Sequence, residues 1–87
     1  MTGRTPSPTG QALIDTTVTR LILEIAERLE TNRPDEPITT IGRHAALQAT
    51  TMDPPLLRAL RARVPEITGS RVRREFAAEL RQIAGEA

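Results

Sequence analysis

Proline placement constrains this chain more than any other feature. Pro34, Pro54, Pro55 and Pro65 break or open helices, and Pro37 closes the short acidic linker that begins at Arg33, because the ring removes an amide donor and drives the preceding residue out of helical geometry. Between these breaks the large apolar residues recur at steps of three and four, the period of an α-helix, and no stretch alternates long enough to predict a strand. The expected fold is all-α, a small four-helix domain spanning residues 11–87, with helices at about 11–32, 40–51, 54–64 and 69–84. Ahead of it, residues 1–10, containing Thr5-Pro6-Ser7-Pro8-Thr9-Gly10, read as a flexible proline-rich tail.

The first helix is the most strongly patterned. Ile14, Val18, Leu21, Ile22, Ile25 and Leu29 form one stripe, and Arg20, Glu24, Glu27, Arg28 and Glu30 fall elsewhere. Its end is expected at Asn32, which tolerates a left-handed terminus. The second helix, capped by Thr39 or Thr40, is assigned an inner face of Ile41, Ala45, Ala49 and Met52. Asp53 as cap with Pro54 at the first position predicts the third, whose stripe is Leu56, Leu57, Leu60 and Val64. The fourth is expected to follow a Ser70 or Thr68 cap, bury Val72, Phe76, Leu80 and Ile83, and stop at Gly85. Leu23 and Leu47 fall off these stripes, which marks them as candidates for a protein interface.

At 87 residues the chain has the size of one domain, and folding at this size buries only about 60–65% of the unfolded surface. There is no cysteine, so neither disulfides nor thiolate metal sites can reinforce the fold, and a reducing compartment is expected. No run is long enough for a membrane span and the N-terminus lacks the apolar core of a signal peptide, so a cytoplasmic protein with no membrane contact is expected. Self-association, most simply as a dimer, is the expected way for so small a core to gain support.

Catalytic constellations are scarce. His44 is the single histidine, without a carboxylate at suitable spacing, and lysine, tyrosine, tryptophan and cysteine are all missing. Glu24/Glu27 and Glu75/Glu79 lie among arginines and read as solvated helix surface rather than acid–base pairs. Neither a glycine-rich phosphate loop nor a zinc pattern occurs. No enzyme activity, cofactor or metal is expected.

Charge is distributed unevenly. Every one of the twelve basic side chains is arginine, and six of them lie between Arg58 and Arg74 with only Glu66 to oppose them. Two function classes remain. The first is a small non-catalytic interaction or regulatory module, oligomeric or part of a larger assembly, using Leu23 and Leu47. The second is a helix-turn-helix-like regulator gripping double-stranded DNA phosphates with Arg58, Arg61, Arg71, Arg74 and Arg81. Against the second, Pro54-Pro55 opens the would-be recognition helix and no Asn or Gln follows to read bases. The interaction module is therefore placed first.

Overall fold

The computed structural model describes residues 10–85 and is all-α. Helices α1 (Gly10–Thr31), α2 (Thr40–Thr50), α3 (Pro54–Arg63) and α4 (Arg73–Gly85) share one core. The expected tail lies outside the described residues, except that Gly10 already belongs to α1. Among the described residues the only β pairing is one antiparallel bridge, Pro37 with Val72.

The expected caps act at two helix starts. Thr39 Oγ1 accepts the Gly42 amide at 2.9 Å to open α2, and Asp53 Oδ2 accepts the Leu56 amide at 3.3 Å to open α3, with prolines in its first turn. Each satisfies an amide that has no partner within its own helix. At the end of α1 the Asn32 amide still reaches Arg28 O at 3.0 Å, and the left-handed residue is Arg33, with φ 56°, one place later than expected.

The start of α4 differs from expectation. The helix begins at Arg73, not near 69, because the preceding residues pair with the link between α1 and α2. The Ile38 amide donates to Arg71 O at 2.9 Å, the Arg73 amide to Glu36 O at 2.8 Å, and the Arg74 amide to Pro34 O at 2.9 Å. Gly69, at φ 71°, supplies the left-handed bend that leads into this pairing. Thr68 and Ser70 therefore do not cap the helix. Val72 stands at the cap, and the Glu75 carboxylate reaches back to its amide at 2.9 Å, the return half of a capping box.

α1 is the hub. It packs on all three other helices, most extensively on α4. Val18, Leu21, Ile22, Ile25 and Leu29 of α1 meet Phe76 and Leu80 of α4, Leu60 at α3 and Val64 just beyond it, with Ile38 joining from the loop. Ala26, Ala77 and Ala84 are also buried, and side chains this small let helix backbones approach closely.

α2 is turned half-way round from the expected orientation. Leu47, assigned to the outer side, is 1% exposed in the core, whereas Ile41 is 82% and Met52 91% exposed, and Ala45 and Ala49 face solvent with them. The inward face is Arg43, Leu47 and the half-buried Ala46 and Thr50. Two forces set this orientation. Leu47 carries more apolar area than either alanine, and the buried Arg43 guanidinium finds three acceptors where α3 ends. Its Nε donates to Pro65 O at 2.8 Å, and its Nη2 to Val64 O at 2.7 Å and Arg61 O at 3.2 Å. The terminal carbonyls of a helix lack donor partners and form the negative end of its dipole, so a cation fits there.

Candidate interaction surface

The short link Thr51-Met52-Asp53 turns α2 back onto α3, and Arg43 ties the first turn of α2 to the last residues of α3. Both helices direct their large apolar side chains into the one core, Leu47 from α2 and Leu60 from α3. On each helix the opposite face is exposed. On α2 that face carries Ile41, Ala45 and Ala49 at steps of four, flanked by His44 and Gln48, with Met52 just past the helix end. On α3 it carries Arg58 and Arg61, both exposed and one turn apart. Neither arginine takes part in an ion pair among the described residues. The nearest acids in sequence lie beyond the two ends of α3: Asp53, whose carboxylate is engaged as the cap, and Glu66.

The arginines read as one basic segment fall into separate groups. Arg71 pairs with Glu79 and stands 5.5 Å from the Phe76 ring centroid, and Arg74 pairs with Asp35. Arg81 forms a two-pronged bridge to Glu30, with Nε to Oε2 at 2.7 Å and Nη2 to Oε1 at 2.6 Å. Arg73 Nε donates to Asn32 O at 2.9 Å, and Arg63 turns inward, donating to Thr19 Oγ1 at 2.9 Å. Of the five arginines expected to grip phosphate, three already bind acids of their own chain; Arg58 and Arg61 do not.

The two leucines part company. Leu47 belongs to the core and is not available to a partner, while Leu23 is 38% exposed on α1, one turn beyond Thr19. The feature missed in the sequence is the outward Ile41–Met52 line. Its spacing was visible, but its direction depends on where α3 ends.

Glu75 caps α4, Glu79 holds Arg71, and Glu24, Glu27 and His44 lie on the exposed surface. An open groove of about 650 Å³ runs between Asp15, Thr16, Thr19, Arg63 and Ala84. Among the described residues no three potential ligands gather around a metal-sized space, and no helix is long and apolar enough to cross a membrane.

The Glu30–Arg81 bridge makes stability depend on pH. The hydrogen bond from Arg81 holds the Glu30 carboxyl below its ordinary value of 4.5 and raises the Arg81 guanidinium further. A carboxyl whose pKa is depressed on folding binds protons more readily in the unfolded chain, so its contribution is present above 4.5 and is lost as the pH falls through the folded value. Glu30→Gln is therefore expected to lose stability near neutral pH but to show a smaller further loss on acidification than the parent. Urea midpoints at pH 7 and pH 3 check this, and equal acid sensitivity in both proteins would refute it. Because the pair is exposed, added salt should shrink the difference.

Comparison with protein-family models, with curated proteins and with solved structures gives no match.

Proposed function

We propose that this protein is a non-catalytic interaction module whose partner docks on the outward face of the α2–α3 hairpin. The observation that carries this is the line Ile41, Ala45, Ala49, Met52, with both large members almost fully exposed. A single exposed apolar residue needs no explanation, but Ile41 with Ala45 and Ala49 along one helix, and Met52 exposed just past its end, is what a helix face looks like before it is covered. Burying Ile41 and Met52 on a partner would contribute about 1.5–3 kcal/mol each, and the two alanines would let the partner backbone come close.

A second copy is a weaker occupant than a different protein. α2 has eleven residues, about 16 Å of helix, a length that suits a short segment of a partner better than the ~800 Å² per partner of a stable dimer. A twofold contact along it would also gather Arg58 and Arg61 of both copies. Duplex DNA would engage those two arginines and leave Ile41 and Met52 in water, so the DNA-binding alternative accounts for less of the face.

Selection from a displayed library of random 16-residue peptides tests the proposal. Peptides enriched on the parent protein are expected to be lost on the double variant Ile41→Asp/Met52→Asp, whose circular dichroism and thermal midpoint should match the parent because both positions are exposed. No enrichment, or enrichment that survives the double variant, refutes this docking face.

A further inference from the structure

We infer that the segment taken by this face is an acidic amphipathic helix of a partner protein; this deepens the interaction proposal above and rests on it. Charge supports the assignment first. Arg58 and Arg61 are the cations of the hairpin's outer side, and they are left without acids in a molecule that pairs Arg71, Arg74 and Arg81 with its own. Arginine's planar fork matches a carboxylate with two parallel hydrogen bonds, so two arginines one turn apart call for two carboxylates one turn apart.

Shape supports it next. The described residues contain no sheet edge onto which a strand could be added, only the isolated Pro37–Val72 bridge. What they offer is two consecutive helices in contact, α2 with exposed apolar and small side chains and α3 with exposed cations, which suits a helix carrying an apolar stripe and an acidic flank. α2 and α3 have eleven and ten residues, so the matching partner segment is about three turns long. Its acids should fall three or four residues apart, on the side of the segment that lies over α3. Guanidinium–carboxylate contacts at a rim steer encounter and choose between partners more than they set affinity, so the apolar line should hold the partner and the arginines should select it.

The peptide selection distinguishes these two contributions when the enriched pools are sequenced. On the parent protein the pool should carry more Asp and Glu than Lys and Arg, with apolar residues at helical spacing. On Arg58→Glu/Arg61→Glu the pool should turn basic, and a peptide from the parent pool should bind that variant about tenfold or more weakly, the effect of roughly 1.4 kcal/mol spread over two reversed charges. Its affinity for the parent should also fall as salt rises.

A neutral or basic pool, or one indifferent to charge reversal yet lost on Ile41→Asp/Met52→Asp, overturns the acidic partner and leaves the docking face standing. A pool that depends on the arginines and ignores Ile41 and Met52 overturns both. So does salt-sensitive binding of a random-sequence duplex, measured by fluorescence anisotropy, that Arg58→Glu/Arg61→Glu abolishes and Ile41→Asp/Met52→Asp leaves intact, because it would make the face a phosphate-binding surface.

Discussion

Phe76→Ala is expected to cost about 3–5 kcal/mol, a large share of what holds a domain this small together. Phe76 is 1% exposed, is the one aromatic residue in the sequence, and fills the space where α4 meets α1. Truncation removes the transfer energy of the ring and leaves a cavity that the surrounding core side chains cannot fill without moving off their preferred rotamers. It also takes away the ring beneath the Arg71 guanidinium, a contact worth about 0.5–1 kcal/mol where solvent reaches it. A domain of this size has only about 5–10 kcal/mol to lose. Urea denaturation should show a lowered midpoint with the slope unchanged if the folded state keeps its extent. Phe76→Leu, which restores most of the volume, should cost less than half as much. A loss below about 1 kcal/mol for alanine would mean that the α1–α4 contact does not depend on this ring.

The legible parts of the fold are those where large side chains and caps act locally. On α1, five bulky residues outvote every alternative face, and at α3 Asp53 followed by two prolines leaves one place to start. The opposite faces of α2 illustrate what a periodic pattern leaves out. Alanine adds little to either side, so the stripe through Ile41, Ala45 and Ala49 appears stronger than one lone leucine, and Arg43 is counted as polar and turned to solvent. Arg43, Leu47 and Thr50 do lie at steps of four and three. That stripe becomes an inner face only when the carbonyls at the end of α3 stand opposite it, which is information from some twenty residues away.

The same distance hid the start of α4, set by pairing between residues 34–38 and 71–74. The candidate site was hidden in the same way. As a sequence, Arg58 to Arg74 is one basic segment, yet the acids that divide it, Asp35 on one side and Glu79 on the other, lie outside that segment. Arg58 and Arg61 stand exposed on α3 and take part in no ion pair among the described residues.

Arg43→Ala is expected to destabilise the fold by about 3 kcal/mol, a loss that an exposed arginine would not produce. The guanidinium serves three carbonyls at once, those of Arg61, Val64 and Pro65, and a hydrogen bond with one charged partner contributes about 1.5–3 kcal/mol. The sum is reduced because water can reach part of the site once the side chain is gone. Arg43→Lys should recover only part of the loss, since an ammonium on a shorter reach cannot span all three acceptors. Arg43→Met, which keeps the apolar stem and abolishes every donor, should resemble alanine if the carbonyls are what matter and the parent if packing is. Amide exchange adds a local readout, as protection at Leu60 and Val64 should fall further than at Ile22 or Ile25 on α1. Removing the fork also removes one of the two forces that keep Leu47 inward and Ile41 outward. In Arg43→Ala the Ile41 methyl groups should therefore begin to show protection from solvent in NMR relaxation experiments with a soluble paramagnetic agent. If they stay fully exposed while stability falls, Leu47 alone sets the orientation of α2, and the role of Arg43 is confined to the end of α3.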